Sequence, residues 1–275
     1  MLSQSQLTRF REQGYFILDP AVPEGMLEPL RKATRRVTAK ARAGEWPHVR
    51  RAGDDDIWGV SHLLHPDLEE PIFAEYIASS VVLDVVADML DVPQEEKEQK
   101  LQLELVNMLV NPGVRDHEIG WHRDLIREDV EPDEEVRRLS ELQTAVQWNT
   151  PLYAESSLRI VPGSHTRAKT AEERDIVFNR PTDPMPDEKV VDLSPGEGVY
   201  YNANLLHRGV YPKSTHRETL HACMGLTEKA LLRTHLYHSL GWMDTPGFKD
   251  RLPAPLHPLY DNFLQNKHTF DKNRK

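Results

Sequence analysis

One cysteine, Cys223, stands alone in 275 residues, so no internal disulfide can form, and the thiol fits a reducing compartment. Positive charge is also in short supply. Against 44 aspartates and glutamates there are 34 lysines and arginines, and a net charge of -10 argues against binding to nucleic acid or anionic membranes. No apolar run is long enough to cross a bilayer, and the opening Met1-Leu-Ser-Gln-Ser-Gln lacks the apolar core of a signal peptide. A cytoplasmic protein acting on a small molecule, with no nucleic-acid or membrane partner, is therefore expected. Repeats and low-complexity tracts are missing too, so a single domain is the default; oligomeric state is not legible.

What is present begins with local punctuation. Residues 3–13 read as a short helix ended by Gly14, and Tyr15-Phe-Ile-Leu18 as a strand. A long helix follows between Pro23 and Gly44, with Leu27, Leu30, Thr34, Val37 and Ala41 at helical spacing. Residues 45–67 read as a loop holding Trp46, Trp58, His62 and His65. Val81, Val82, Val85, Val86, Met89 and Leu90 form a packing stripe, and Glu95 to Lys100 a solvated turn. Leu101, Leu103 and Leu105 alternate with polar residues as in a half-buried strand that Pro112-Gly113 ends. Within it Asn107 needs a partner if buried: a bound carboxylate or a neighbouring backbone group.

The chemistry concentrates at Gly120-Trp121-His122-Arg123-Asp124. In extended backbone alternate side chains share a face, so His122 and Asp124 project together and can hold one metal ion. His207, where an apolar and aromatic run meets Gly209, is the best third donor. Two imidazoles and one carboxylate leave positions open, which suits a non-haem Fe(II) that must bind a cosubstrate and O2. Arg217 lies ten residues further on, and a strand, a turn and a return strand fit that interval as a hairpin. Its guanidinium can then take the distal end of a dicarboxylate; the alternative is a solvated arginine paired with Glu218.

Trp121-His122-Arg123-Asp124, Pro162-Gly163-Ser164-His165, His207 and Arg217, in that order, resemble the phytanoyl-CoA dioxygenase family of Fe(II)/2-oxoglutarate oxygenases. The likeness runs over roughly residues 5–226. It implies a mainly β fold with flanking helices around a double-stranded β-helix (jelly-roll, cupin-like) core. On that basis residues 1–275 form one dioxygenase domain, with a helical flank over about 1–100, the core over about 101–226 and a pocket-covering segment over about 227–275. The resemblance further implies Fe(II) on His122, Asp124 and His207, 2-oxoglutarate as cosubstrate with O2, and Arg217 as its distal anchor.

Asn107, Gln147 and Thr144 are further candidates for cosubstrate contact. Gln147 and Thr144 lie on one strand an odd number of positions apart, so only one of them can face the interior. Trp58 is a candidate substrate contact. His165 is expected to pin its turn. The charged stretch 127–138 reads as a short helix, either a movable cover or a solvated segment. Two departures stand out. Glu155-Ser156-Ser157 replaces the Asn-Gly frequent in the family, and Gly209 stands where some relatives carry a serine that helps hold the cosubstrate.

The expected reaction is hydroxylation, desaturation, epoxidation or demethylation of a small or medium-sized metabolite, in secondary metabolism, with release of succinate and CO2. Aspartate at position 124 disfavours halogenation. A CoA thioester is an unattractive substrate beside so acidic a segment. The rival readings are a cupin-like metal protein that is non-catalytic or independent of a keto acid, and a zinc hydrolase.

Overall fold

The computed structural model describes residues 2–53, 56–141, 145–229 and 234–273. Eleven strands are laid down in chain order: β1 (Tyr15–Leu18), β2 (Val49–Ala52), β3 (Asp56–Val60), β4 (Leu101–Val110), β5 (His117–Glu118), β6 (Ala145–Pro151), β7 (Glu155–Ile160), β8 (Lys189–Leu193), β9 (Gly198–Asn202), β10 (His207–Tyr211) and β11 (Glu218–Leu226). One sheet runs β1-β9-β6-β11-β4-β3-β2 and the other β5-β10-β7-β8, with antiparallel pairing throughout. The two sheets enclose the site as a jelly roll.

Local signals hold where they are local. The first helix, Gln4–Gln13, starts at a capping box in which Ser3 and Gln6 satisfy each other's backbone N–H, and it ends at Gly14. The long helix, Leu27–Arg42, buries the expected stripe of Leu30, Thr34, Val37 and Ala41. The packing stripe at 81–90 becomes the helix Ser80–Met89.

Two expectations fail for tertiary reasons. The loop at 45–67 contains the hairpin β2–β3, which extends the large sheet because β3 has an open edge of β4 to pair with. Residues 94–100 are solvated as expected, a 3-10 turn followed by the short helix Lys97–Lys100 with no buried residue. Strand β4 is buried on both faces, Gln102 and Glu104 included, at 0% and 1% exposure. The cause is the C-terminal helix His257–Asn273, which lies across it and sends Asn262 Nδ2 to the Leu101 carbonyl at 2.7 Å and Asn266 Nδ2 to Gln102 Oε1 at 2.9 Å. That helix runs on to Asn273.

The hairpin expected between His207 and Arg217 is also absent. Strand β10 pairs with β5 and β7 in the small sheet, whereas β11 pairs with β4 and β6 in the large one. The chain crosses between sheets, and Arg217 enters the interior at the start of β11.

Candidate functional site

His122 and His207 face each other across an isolated antiparallel bridge. His122 N–H donates to the His207 carbonyl at 3.0 Å, and His207 N–H to the His122 carbonyl at 3.1 Å. The imidazole centroids are consequently 4.4 Å apart. Asp124 is held by its own N–H, 3.0 Å from the Ala203 carbonyl. The donor atoms of His122, Asp124 and His207 all lie within 4.8 Å of one another, a grouping that could hold a metal ion.

The ring orientations are fixed from behind. His122 Nδ1 lies 2.8 Å from the Gly120 carbonyl and His207 Nδ1 2.8 Å from the Leu205 carbonyl. A carbonyl can only accept, so each Nδ1 carries the proton and each Nε2 lone pair points inward. Burial and the neighbouring His122 push the His207 pKa down to about 4. Burial also works to raise the Asp124 carboxyl, but His207, His122, His221 and the Gln147 amide outweigh it and hold it below its usual range. His207 and Asp124 thus stand deprotonated near neutrality, as ligation demands.

Arg123, between the two, points the other way and is 4% exposed. Its Nε donates to Glu135 Oε1 at 2.9 Å, and Glu135 also receives Lys169 at 2.6 Å and Arg174 at 3.4 Å. Glu135 belongs to the helix Pro132–Glu141 within the charged stretch, so a buried ionic cluster ties that helix to the backbone of the triad.

Two cavities meet at Asp124. The smaller, about 70 Å³, is lined by His122, His207, Trp58, Tyr211, Arg217 and Arg50 among others. The larger, about 330 Å³, is lined by Gln147, Asn107, His62, His235, Leu236 and Ser239 among others. Asp124, His221 and Arg50 border both.

Arg217 is 3% exposed and pairs through Nε with Glu155 Oε2 at 2.5 Å, not with Glu218. Glu218 instead accepts a hydrogen bond from Thr34 at 2.6 Å. The guanidinium lies 4.3 Å from the centroid of the Tyr211 ring, and its Nη1 is buried with no protein partner. Burial opposes the charge, and Glu155 and the Tyr211 phenol more than restore it. The substitution at Gly209 is explained by the same tyrosine. A Cβ at 209 would sit 1.9 Å from Tyr211 Oη, so glycine here admits the phenol.

The remaining candidates divide between the chambers. Trp58 stacks on Tyr211, 5.5 Å between centroids, on the Arg217 side. Gln147 faces inward and donates to Asp124 Oδ2. Asn107 accepts from the His62 N–H at 3.0 Å and lines the larger cavity. Thr144 lies outside the described residues. His165 Nε2 meets the Arg11 carbonyl at 3.1 Å and ties its turn to the first helix. His62 and His65 pack with His48 and Trp242 in a ring cluster. Of the C-terminal segment, His235, Leu236 and Ser239 reach the cavity, while its long helix covers β4 instead.

Glu155, Arg50 and His221 were not foreseen. Glu155 was visible only as a departure from the family pattern. Arg50 stands in no motif, so nothing in the sequence marks it. His221, whose Nδ1 is 2.8 Å from Asn149 Oδ1, is held at about 3 by burial and the nearby Arg50 charge.

A family model described as phytanoyl-CoA dioxygenase matches residues 10–218. Among solved structures, EctD from S. alaskensis, crystallised with 2-oxoglutarate and 5-hydroxyectoine, shares 16% identity over 82% of this chain and 77% of its own, with a TM-score of 0.62. AviO1 from Streptomyces viridochromogenes Tue57 shares 20% identity over 82% of this chain and 96% of its own, at 0.58. The epimerase SnoN, solved with Fe3+, alpha ketoglutarate and nogalamycin RO, shares 16% over 81% and 82%, at 0.57. Likeness at these identities shows the jelly-roll fold. No curated protein sequence matches the chain.

Proposed function

This chain belongs to the phytanoyl-CoA dioxygenase family, and from that premise we propose that His122, Asp124 and His207 hold Fe(II) while Arg217 anchors the far carboxylate of 2-oxoglutarate. The carrying observation is the convergence of the three donor atoms at the smaller chamber, whose Asp124 corner also borders the larger one. Such a boundary separates two small molecules that must approach one metal from different sides. The donor set fits the ion, since both Nε2 lone pairs and the carboxylate face inward with their supporting hydrogen bonds in place. The buried, unpartnered Nη1 of Arg217 fits a carboxylate in the smaller chamber.

When bound, iron and 2-oxoglutarate supply O2 activation coupled to release of succinate and CO2. The protein's own residues do the rest. Carbonyls of Gly120 and Leu205 keep the imidazole protons on Nδ1, Gln147 fixes the Asp124 carboxylate, and Tyr211 and Trp58 wall the small chamber.

The larger chamber takes the substrate, a small or medium-sized metabolite rather than a CoA thioester, at a volume within the range of ligand sites. Its imidazole, amide and hydroxyl lining suits a polar metabolite, and hydroxylation or a kindred oxidation in secondary metabolism is the proposed outcome. Residues 1–275 act as one unit in the cytoplasm, the segment beyond 226 supplying part of the substrate wall through His235, Leu236 and Ser239. Among the described residues no helix is long and apolar enough to cross a membrane.

Anaerobic titration with Fe(II) and then 2-oxoglutarate tests the class. A weak visible charge-transfer band is expected, followed by O2-dependent succinate release on presentation of metabolite pools. Hydrolysis without O2, or activity unchanged in Arg217→Ala, would favour the rival metal chemistries.

A further inference from the structure

Arg50 reaches the site by an unusual route. It lies on the edge strand β2 opposite Gly59 of β3. A Cβ on Gly59 would stand 3.1 Å from Arg50 Cδ and 3.3 Å from its Cβ, so the missing side chain leaves room for the arginine stem to lie against the strand. The guanidinium comes to rest 5.4 Å from the centroid of Trp58, bordering both chambers beside Asp124 and His221. Among the described residues no hydrogen bond or ion pair engages it.

The other cations at the smaller chamber are committed. Arg208 is bound to Glu118 at 2.7 Å, with Glu188 at 3.9 Å, and Arg217 is bound to Glu155. This matters for a dianionic cosubstrate. On the reading proposed above, a dipositive metal, the Asp124 carboxylate, the Arg217–Glu155 pair and 2-oxoglutarate together leave one uncompensated negative charge. In an interior of low dielectric such a charge is strongly disfavoured. One further cation closes the balance, and Arg50 is the one bordering both chambers.

We infer that Arg50 is the second cation of the 2-oxoglutarate site, supplying the charge that Glu155 withdraws from Arg217. It follows that Glu155 and Arg50 oppose each other in cosubstrate binding, and that both discriminate a dianionic keto acid from a monoanionic one. Its field reaches the interior, since it is among the causes that depress both His221 and His62.

The inference rests on the oxygenase reading, and one experiment separates the two. The Fe(II)-loaded full chain is titrated anaerobically with 2-oxoglutarate and with 2-oxobutyrate, which keeps the chelating head but lacks the distal carboxylate. The charge-transfer band gives Kd for the unaltered protein, Arg50→Gln, Arg50→Lys, Glu155→Gln and the Arg50→Gln/Glu155→Gln double variant. Arg50→Gln is expected to weaken 2-oxoglutarate by about 10- to 100-fold and to leave 2-oxobutyrate unchanged or slightly tighter. Arg50→Lys and the double variant should recover most of the loss.

Melting temperatures of the apo variants, and their shift on adding 2-oxoglutarate, give an independent readout and a check on folding. Binding of 2-oxoglutarate within about twofold of the unaltered protein in Arg50→Gln would overturn the inference and assign Arg50 to the substrate. Equal weakening of both keto acids would overturn it too, by showing a local structural defect. Absence of the band from the unaltered protein would sink the oxygenase reading, and this inference with it.

Discussion

Arg217 and Glu155, sixty-two positions apart in the chain, form an ion pair at 2.5 Å with side chains only 2% and 1% exposed. Both charges are out of water, and each makes the other tolerable. Glu155 Oε1 and Arg217 Nη1 are nonetheless left without protein partners, and Arg217 borders the smaller chamber.

The burial of the pair sets a stability prediction. Arg217→Met leaves Glu155 buried and unpaired and should cost about 3–5 kcal/mol, whereas Arg217→Met with Glu155→Leu should recover most of it. Urea denaturation of the apo protein measures both. Additive losses in the double variant would show that the two charges are not coupled.

Removal of a triad donor should abolish metal retention. His122→Ala, Asp124→Ala or His207→Ala is expected to lower Fe(II) affinity by at least about 100-fold while the fold persists. Metal content after dialysis, read beside circular dichroism, separates ligand loss from unfolding.

Glu135 touches none of the three donors, yet it neutralises Arg123 between them. Glu135→Ala leaves Arg123 and Lys169 buried without their anion and should destabilise the apo protein by about 3–5 kcal/mol. Weaker Fe(II) binding should accompany it, because the His122–Asp124 backbone loses its anchor. Unchanged metal affinity in a folded variant would show that the ionic cluster serves stability alone.

Acid should weaken the apo fold in a predictable window. Burial, with His48, His65 and Arg50 nearby, lowers His62 from 6.5 to about 4. The unfolded chain therefore takes up a proton below about pH 6.5 that the folded chain refuses until about pH 4, so stability is present above this window and lost as pH falls through it. The loss is about 1.4 kcal/mol per pH unit for such a group. His62→Asn, which tolerates the positive φ of 67° at this position, should flatten the slope between pH 6.5 and 5 in denaturation curves.

Much of this protein is written locally. The Ser3 cap, the stripes at 27–41 and 81–90 and the Pro162–Gly163 turn depend on neighbours a few positions away, and they are legible without coordinates. The order Trp-His-x-Asp, Pro-Gly-Ser-His, His, Arg is equally legible. Hence the family, the jelly roll and the grouping of His122, Asp124, His207 and Arg217 around one chamber could be expected in advance.

What the chain order could not determine is which charges meet inside. Whether Arg217 faces water, Glu218 or Glu155 depends on the crossing of β10 and β11 between sheets, a fact of topology. Whether Gln102 and Glu104 face solvent depends on a helix more than 150 residues downstream. Arg50 joins the site because β2 adds to the edge of the large sheet and Gly59 leaves it a path. Periodicity reports which face a residue takes, since that is set by local backbone geometry. It cannot report what lies against that face, because the partner is chosen by long-range packing and by the cost of leaving a buried charge unpaired.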